Sequence, residues 1–407
     1  MTATAVVTGV GVLAPNGIGA REFWAATLRG ESGIGPLTRF DPTSYPSRLA
    51  GEVTGFSVPD HIPSRLVPQT DRTTQFALAG SDWALADAGL SASSLPADER
   101  GVVTASASGG FEFGQRELGQ LWGKGRRHVS AYMSFAWFYA VNSGQISIRH
   151  DLRGPTGVLV TDQAGGLDAV AQARRRIRQG TPVMLTGGMD ASLCPYGLAA
   201  QISAGILSES EDPARAYLPF DPAADGHVPG EGGAILTLED ADRARARGAR
   251  SHGEISGYAA TFDPRPGSGR PANLDRAIRG ALADAGLGPR DIAFVLADGA
   301  GEPELDRAEA QALTAVFGPR GVPVTVPKTM TGRLYAGAGP LDLVTALFAL
   351  RDGVVPPTVH VEGPGPDCDL DLVTGSPRPV EAGAALVLAR GRGGFNSAMV
   401  VRGPSAA

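Results

Sequence analysis

The sequence GPTGVLVTDQAGGLDAVAQARRRIRQG, Gly154 to Gly180, has the layout of a strand, a tight turn and a helix. The apolar, largely β-branched run Val158 to Thr161 predicts a buried strand, and Ala164-Gly165-Gly166 predicts a turn that leads directly into a helix. Such an elbow commonly presents a nucleophile beside the free backbone N–H groups of a helix start. Gln163 stands at its tip, and a carboxamide is not a nucleophile. The stretch therefore predicts an active-site elbow that lacks the residue for the chemistry.

The helix after the elbow has two kinds of surface. Its apolar residues recur at helical spacing and are expected to face the core: Leu167, Val170, Ala171 and Ile177. Its arginines are expected to be left for solvent or for a partner: Arg174, Arg175, Arg176 and Arg178. This helix is therefore not expected to be buried between layers.

The second half of the chain repeats the pattern of the first. Ala338–Val344 (AGPLDLV) echoes Ala164–Val170 (AGGLDAV), and each is followed by a helix of similar length that ends in a glycine, Gly353 or Gly180. This self-similarity predicts two copies of one α/β unit packed together. The second helix is apolar almost all round, so we expect it to be buried between layers.

Composition defines the general class of protein. A chain of 407 residues exceeds what one core usually supports, so two domains or a duplicated unit are expected. The 36 basic and 42 acidic residues give a net charge of −6 without a long basic block, which argues against nucleic acid as a partner. The N-terminus has no basic segment and no apolar run reaches about 18 residues, so we expect no membrane association. Two widely separated cysteines, Cys194 and Cys368, form no metal-ligand spacing and fit the reducing cytoplasm.

A dinucleotide fingerprint near the N-terminus is the first motif to be weighed. Ala5 to Thr8 predicts a strand, and Gly9 to Ala14 matches the pattern G-x-G-x-x-A. The run Pro15-Asn16-Gly17 stands where the phosphate-binding helix would have to continue, and no strand ending in an acidic residue follows at the right distance. The motif is therefore predicted to be a turn packed near a substrate cavity, and no cofactor is expected.

A second helix carries a stripe of residues that allows two interpretations. In Phe111 to Trp122, the residues Phe111, Gly114 and Leu118 fall on one helical face. Most such stripes are core, but a glycine inside a helix is unfavourable by about 1 kcal/mol relative to alanine. It often marks a place where another group passes closely.

Four aromatic residues precede the elbow within Ser134 to Ile148: Phe135, Trp137, Phe138 and Tyr139. A cavity wall and a subunit interface would both suit such a cluster, because aromatic side chains are enriched in interface cores. We predict that these residues form an interface.

Several long motifs now carry a resemblance to a known family. They are VVTGVGVLAPNGIG (6–19), the elbow, LPFDPAADGHVPGEGGAILTLEDADRARARGA (218–249), VPKTM (326–330), GVVPPTVH (353–360) and CDLDLV (368–373). In this order they resemble a β-ketoacyl synthase of the thiolase superfamily over nearly the whole chain. The resemblance implies an α/β fold, a duplicated α-β-α-β-α sandwich with two mixed five-stranded sheets. The halves would be residues 1–254, which contain the elbow, and residues 255–407, with the elbow helix near the centre of a dimer.

The chain departs from that family at the positions that carry the chemistry. An active ketosynthase resembles this elbow with Cys where Gln163 stands, and it has two histidines whose positions correspond here to Asp298 and Arg333. Lys328 and Glu231 match the family pattern. Condensation needs a thiolate to hold the acyl chain and two imidazoles to assist decarboxylation and stabilise the developing negative charge. All three groups are replaced, so no independent condensing activity is expected.

Substitute catalytic groups are not evident elsewhere in the sequence. None of the six histidines falls in either motif, and His227 is interpreted as a loop residue. Cys194 and Cys368 have neither an elbow nor a neighbouring histidine, so both are predicted to be ordinary buried thiols.

Glutamine in the elbow followed by A-G-G-L-D-A is similar to the chain-length factor, or ketosynthase β subunit, of bacterial type II aromatic polyketide synthases. The resemblance implies a heterodimer with a catalytic ketosynthase α subunit. It also implies an acyl carrier protein whose phosphopantetheine arm carries malonyl or polyketide groups, and a tunnel at the dimer interface that measures the chain of an antibiotic or pigment precursor. The resemblance puts the helix with Phe111, Gly114 and Leu118 beside that tunnel, and we predict that these residues form its wall.

A second interpretation is enzymatic. The chain would be a malonyl-acyl carrier protein decarboxylase that makes the acetyl primer, with the Gln163 amide stabilising the enolate. Such an enzyme still needs hydrogen-bond donors for the enolate, and Asp298 in place of a histidine would oppose the developing negative charge. The electrostatics therefore favour a template over a decarboxylase.

Overall fold

The computed structural model describes residues 3–91, 94–265, 268–270, 272–381 and 383–404. The strands are β1 Ala5–Ala14, β2 Gly17–Ile18, β3 Ile34–Pro36, β4 Leu49–Gly51, β5 Arg100–Ala105, β6 Thr156–Leu159, β7 Val183–Asp190, β8 Gly232–Asp240, β9 Gly253–Phe262, β10 Ile292–Leu296, β11 Pro323–Thr325, β12 Val354–Val355, β13 Asp371–Leu372, β14 Arg378–Pro379, β15 Ala384–Gly391 and β16 Phe395–Arg402. The helices are α1 Ala20–Arg29, α2 Val58–His61, α3 Arg72–Asp87, α4 Phe111–Lys124, α5 Val141–His150, α6 Gly165–Arg178, α7 Pro195–Ile202, α8 Ala241–Ala246, α9 Leu274–Ala285, α10 Pro303–Phe317 and α11 Ala338–Asp352. Across these described ranges, no helix has both the length and the apolar character needed to cross a membrane.

The two halves share one strand order, which confirms the predicted duplication. The first half has the order β6-β5-β7-β8-β1 and the second has the order β11-β10-β15-β16-β9. In each half the first three strands of this order are parallel, and the last two pair antiparallel. The short strand β13 extends the second sheet beyond β11. A two-residue contact between β1 and β9 joins both mixed sheets into one continuous surface.

Helices lie in three layers around the two sheets. The helices α3 and α5 cover the outer side of the first sheet, and α9 and α10 cover the outer side of the second. Between the sheets, α6 and α11 pack against each other and against strands of both halves. The result is the expected α-β-α-β-α sandwich. The elbow helix α6 belongs to its central layer, so the expectation that this helix would not be buried between layers is wrong.

The central helices confirm one expectation and correct another. Helix α11 is buried from Ala338 to Ala349, as its apolar composition predicts. Arg174 of α6 was expected to face solvent, but it is buried and donates a 2.5 Å hydrogen bond to Asp284. Arg174 follows Val170 by four residues, so helical periodicity places it on the buried face, where a carboxylate of the second half pairs with its charge. Arg175 and Arg178 are exposed, as expected.

The N-terminal glycine motif is part of a strand, so the expected turn is wrong. Strand β1 continues through the motif to Ala14 and lies against α3. A Cβ atom on Gly9 would lie 2.0 Å from the carbonyl oxygen of Ala84, and one on Gly11 would lie 2.0 Å from that of Gly80. Because only glycine permits this approach of strand and helix, the motif is explained by packing and not by phosphate binding.

Candidate functional site

The elbow forms, but its strand is less buried than the sequence predicts. Strand β6 ends at Leu159, two residues before the expected end, and is partly exposed because it is the outermost strand of its sheet. The chain reverses at Asp162, which has a positive φ of 51°. Gln163 follows at the tip, and helix α6 begins at Gly165. The two glycines expected in the turn are therefore the first residues of the helix.

Residues of the second half hold the elbow in place. A Cβ atom on Gly166 would lie 2.3 Å from the carbonyl oxygen of Ala336 and 2.3 Å from Cδ of Pro340, so glycine is required where α6 and α11 cross. The backbone N–H of Arg392 donates to the Asp162 carboxylate at 2.8 Å. The position of Gln163 is thus determined by contacts from both halves.

The three residues predicted to replace the family's catalytic groups meet in one buried network. Nε2 of Gln163 donates to Oδ1 of Asp298 at 2.5 Å, and Nη2 of Arg333 lies 3.0 Å from Oδ2 of the same carboxylate. Gln163 and Asp298 are each 1% exposed, and Arg333 is 7% exposed. The backbone N–H of Arg390 also donates to Oδ1 of Asp298 at 2.9 Å. The sequence-predicted positions are therefore brought together, with Asp298 as the shared partner.

The network is charged and internally neutralised. Burial opposes ionisation of Asp298, but Arg333, Lys328 and Arg390 hold the pKa of its carboxyl below the usual range. Burial likewise disfavours a charged guanidinium, but Asp298 raises the pKa of Arg333. A carboxylate and a guanidinium therefore face each other at the two positions that are predicted to correspond to the imidazoles of a condensing enzyme.

Lys328, which matches the family pattern, contacts the residue before Asp298 and helix α11. Its Nζ donates to the carbonyl oxygen of Ala297 at 2.9 Å, and it forms a buried ion pair with Asp342 of α11. Glu309 of α10 accepts hydrogen bonds from the backbone N–H groups of Asp298 and Gly299, at 2.7 and 2.9 Å. These contacts orient the turn that carries the Asp298 side chain.

Glu231, the other residue that matches the family pattern, forms an ion pair with Arg72, outside the network of Asp298. Its carboxylate accepts hydrogen bonds of 2.6 and 2.8 Å from Arg72 at the start of α3, and one of 3.0 Å from the N–H of Val53. The neighbouring Gly230 donates its N–H to the carbonyl oxygen of Arg333 at 3.0 Å. Glu231 therefore anchors the strand segment that holds the Arg333 backbone, while its own charge pairs with Arg72.

Sequence analysis missed His227 as a residue of the site. It lies in a loop, as expected, but it is 2% exposed and lines a cavity of about 460 Å³ together with Gln163, Asp298 and Arg333. Burial and the charge of Arg333 keep the pKa of its imidazole well below the ordinary value, so the ring is neutral. The only sequence signal is its position four residues before Glu231 in the same motif.

Both cysteines are buried free thiols, as predicted. Burial raises the pKa of Cys194 to about 11 and that of Cys368 to about 11. A thiol with such a pKa carries almost no thiolate at neutral pH, so neither cysteine replaces the missing nucleophile.

The residues predicted to form the tunnel wall lie on α4 but in different surroundings. Phe111 lines a smaller cavity of about 240 Å³, and its ring centroid lies 5.0 Å from that of Tyr196. Gly114 is buried, and a Cβ atom there would lie 3.6 Å from Cβ of Trp137, so an aromatic residue borders this position. Leu118 is 37% exposed.

Most of the aromatic cluster before the elbow is exposed in the single chain. Trp137, Phe138 and Tyr139 are 44%, 40% and 38% exposed, while Phe135 is half-buried against Tyr132. Phe138 and Tyr139 lie close together, with ring centroids 4.3 Å apart. A run of exposed aromatic rings of this kind is the composition expected of an interface core.

Comparison with protein families gives the class of protein. Residues 3–244 match the N-terminal domain of β-ketoacyl synthases, and residues 252–362 match the C-terminal domain. The chain therefore belongs to the β-ketoacyl synthase family.

Similar proteins narrow this class. The chain is 60% identical to the tetracenomycin polyketide synthase ketoacyl synthase beta subunit of Streptomyces glaucescens. It is 59% identical to the actinorhodin polyketide putative beta-ketoacyl synthase 2 of Streptomyces coelicolor, and each alignment covers 98% of both proteins. Its fold matches the ishigamide ketosynthase/chain length factor with a TM-score of 0.90 and 29% identity, over 99% of this chain and 100% of the other. Within the family, the chain groups with the ketosynthase β subunits of type II polyketide synthases.

Proposed function

We propose that this chain is the non-catalytic, chain-length-determining subunit of a ketosynthase heterodimer that builds aromatic polyketides. The observation that carries this proposal is the buried network of Gln163, Asp298 and Arg333. Each of the three positions that would perform condensation is occupied by a group that is bound to another member of the network. The site is thus organised for stability and has no group available to accept an acyl chain.

The charge of Asp298 argues against condensation. The enolate and the tetrahedral intermediate of a condensing reaction both carry negative charge, and hydrogen-bond donors must be aimed at that charge. Here an ionised carboxylate occupies the position and receives an N–H of Gln163 at 2.5 Å. A second negative charge close to Asp298 would be repelled, and the thiolate needed to hold the substrate is missing.

The same geometry disfavours the decarboxylase alternative. That activity would rely on the Gln163 amide to stabilise an enolate, but one amide N–H is already committed to Asp298. Arg333 is a neighbouring positive charge, but it is paired with the same carboxylate. The template role therefore fits the structure better than primer synthesis.

A heterodimer with a catalytic α subunit is part of the proposal. The outer edge of β6 has no strand partner within the described residues, and the exposed rings of Trp137, Phe138 and Tyr139 follow α4 in the same half. A chain that leaves these groups in water has the features of one half of a larger interface.

An acyl carrier protein is a second partner in the proposal. One solved structure with a similar fold is a type II PKS acyl-carrier protein in complex with its ketosynthase bound to the hexaketide. Its TM-score is 0.89, with 27% identity over 99% of this chain and 100% of that chain. We infer that an acyl carrier protein also serves the present heterodimer, in the cytoplasm.

The chain-length function is assigned to α4. Phe111 borders a cavity, and Gly114 packs beside Trp137 of the proposed interface. Residues on this helix would meet the end of a chain that grows from the partner's active site. A side chain that fills the end of the tunnel would stop elongation by steric exclusion.

Reconstitution with a cognate α subunit and carrier protein tests the proposal. We expect the isolated chain to release no CO₂ from malonyl-carrier protein and to form no carbon–carbon bond, and the heterodimer to make a polyketide of defined length. Exchange of this chain for a β subunit of another length class should change the product length without removing turnover. Steady CO₂ release by the isolated chain would overturn the non-catalytic assignment.

A further inference from the structure

A buried carboxylate at the end of β7 has no charged partner. Asp190 is the last residue of that strand and is 0% exposed. Within the described residues it forms no ion pair, and its hydrogen-bond donors are backbone N–H groups and serine hydroxyls. Burial raises the pKa of its carboxyl to about 6, and the hydrogen bonds act in the opposite direction. The group is therefore mainly ionised at neutral pH, where a carboxylate only accepts hydrogen bonds.

The donors to this carboxylate come from both halves of the chain. In the loop between β5 and α4, the N–H of Ala107 donates to Oδ2 of Asp190 at 2.9 Å, and the N–H of Ser108 donates to Oδ1 at 3.4 Å. In the second half, the N–H of Ala336 donates to Oδ2 at 3.0 Å. Asp190 therefore fixes two segments that are distant in the sequence against the end of β7.

Ser106 extends this arrangement towards the start of α4. Its hydroxyl donates to Oδ1 of Asp190 at 2.7 Å, and its oxygen accepts the N–H of Gly109 at 2.9 Å. Helix α4 begins two residues later. The first turn of the helix is held separately, because the carboxylate of Asp71 accepts the N–H of Phe113 at 2.8 Å. Asp190 and Ser106 together therefore fix the loop that leads into the helix.

The segments held by Asp190 line the cavity of about 240 Å³ at the start of α4. Ala107, Ser108 and Tyr335 all border this cavity. Tyr335 has a positive φ of 51°, which is a strained conformation for a residue with a large side chain. Because strained backbone persists only where neighbouring contacts fix it, the hydrogen bond from the next residue, Ala336, to Asp190 helps to hold Tyr335 in place.

We propose that Asp190 is a positioning residue for chain-length control, because it holds the loop before α4 and the segment of Tyr335 at a fixed separation across the end of the tunnel. This inference rests on the proposed function, in which α4 forms the tunnel wall. Asp190 is fully buried, so it acts through the residues that it holds and not by contact with the growing chain. A wall that is loose by about 1 Å no longer discriminates sharply between chains that differ by one extension unit.

Asp190→Asn tests this role without changing the size of the side chain. Both carboxylate oxygens accept backbone N–H groups, so either orientation of the amide places its NH₂ group against at least one of them. We expect the polyketides of the reconstituted heterodimer to become more dispersed in length. The ratio of minor chain lengths to the main one, measured by mass spectrometry, should rise about fivefold, the change in populations that corresponds to about one lost hydrogen bond.

Asp306→Asn is the matched control for a purely structural effect. Asp306 is 1% exposed, and its two carboxylate oxygens accept the N–H groups of Phe220 and Gly301 at 2.8 and 3.2 Å. It does not line the cavity at the start of α4. Both variants should lower the melting temperature of the heterodimer, whereas only Asp190→Asn should disperse the products. Equal dispersion by both variants would overturn the proposal, because product length would then follow stability alone.

Ser106→Ala keeps the test informative if Asp190→Asn impairs folding. It removes the hydroxyl that joins Asp190 to Gly109, so it should disperse the products in the same way but by a smaller factor, about threefold. The two changes act on the same loop and should therefore not add. We expect the double variant to give the same distribution as Asp190→Asn.

Phe111→Ala, measured in parallel, separates this inference from the chain-length role itself. Dispersed products with Asp190→Asn and Ser106→Ala, together with a length shift in Phe111→Ala, would support both. If only Phe111→Ala changes the products, the positioning role of Asp190 is wrong while α4 remains the tunnel wall. If none of the three variants changes the products, both the role of α4 and that of Asp190 are wrong.

Discussion

The network of Gln163, Asp298 and Arg333 lies between the two halves of the fold, and the aromatic segment 135–139 lies on the surface of the first half. The polar groups of the network are paired inside the chain, whereas the aromatic rings of the segment have few partners within it. At Asp298 the charge is buried and paired inside the chain, with Arg333 on one side and Gln163 on the other. At Trp137 and Phe138 large apolar surfaces remain in water. The difference indicates that the network around Asp298 is part of the protein's internal structure, while the exposed aromatic surface is where a partner is expected.

The largest effect is expected from breaking the buried ion pair. Arg333→Met leaves the Asp298 carboxylate buried without its counter-ion, which should lower the free energy of unfolding by about 3–5 kcal/mol. Denaturant unfolding of the heterodimer, followed by circular dichroism, measures this change. Because nothing catalytic is lost, we expect product length to be unchanged wherever the variant still folds.

An exposed ion pair supplies the control for this measurement. Arg245 and Asp242 are 2.7 Å apart with side chains that are 76% and 90% exposed, so Arg245→Met should change stability by less than about 1 kcal/mol. A double variant with Asp298→Leu and Arg333→Met removes both buried charges and should recover much of the loss. Equal effects of the buried and exposed single variants would show that the buried network is not a structural element.

The second prediction concerns the exposed aromatic surface. Trp137→Ser and Phe138→Ser should each weaken association with the α subunit by about 2 kcal/mol, or roughly thirtyfold in Kd, because aromatic residues at the centre of an interface contribute most of its energy. Surface plasmon resonance with the cognate α subunit measures Kd, and circular dichroism of each variant checks its fold.

Val67 supplies the control, because it is an apolar residue outside the aromatic segment that is 37% exposed, close to the value for Tyr139. Val67→Ser should leave Kd within twofold, about 0.4 kcal/mol. If Trp137→Ser and Phe138→Ser bind the α subunit as tightly as the unmodified chain, the aromatic segment is not the interface.

A smaller and more specific effect is expected on chain length. Phe111→Ala enlarges the cavity that Phe111 lines and should shift products to longer chains, provided that its neighbours do not collapse into the space. Gly114→Phe places a ring against Trp137 and should shift products to shorter chains. Mass spectrometry of polyketides from the reconstituted heterodimer measures both shifts.

Gly119 of the same helix is a matched control, because apart from its chain neighbours and the adjacent helix backbone no atom of the described residues lies within 4 Å of a Cβ atom built there. Gly119→Phe introduces the same ring and should not change product length. Unchanged product length for Phe111→Ala and Gly114→Phe at preserved turnover would show that the tunnel ends elsewhere.

Much of the fold could be predicted because the sequence patterns that determine it lie within single elements or occur twice in the chain. The echo of Ala164–Val170 in Ala338–Val344 implied duplication, and both halves have the same strand order. The apolar composition of α11 correctly implied its burial. The motif order also led to the prediction of Gln163, Asp298 and Arg333 as the degenerate positions, and the structure brings these three residues into contact.

Other features depend on contacts that no local pattern contains. His227 enters the site because its loop lies against the Asp298 turn, where the N–H of Gly226 donates to the carbonyl oxygen of Gly301 at 2.8 Å. Arg174 is buried because Asp284, 110 residues further along the chain, compensates its charge. The burial of His227 and Arg174 was not predicted, because a polar residue is expected to be exposed unless a distant partner for it is known.

The last prediction concerns the elbow, where we expect a substitution of Gln163 to produce no condensing activity. Gln163→Cys places a thiol at the tip, but Asp298 and Arg333 still occupy the positions predicted to correspond to the two imidazoles, and the carboxylate disfavours the thiolate. Without the Gln163 hydrogen bond the carboxylate keeps Arg333 and the N–H of Arg390, so the fold should tolerate the change. We expect no condensation by this variant in the absence of the α subunit, and no increase in turnover in its presence, as measured by radiolabelled malonyl incorporation.

The informative comparison is the triple variant that combines Gln163→Cys with Asp298→His and Arg333→His. Detectable elongation by the triple variant, but not by Gln163→Cys, would show that the charged pair prevents condensation. Elongation by Gln163→Cys alone would instead show that the ion pair does not prevent chemistry.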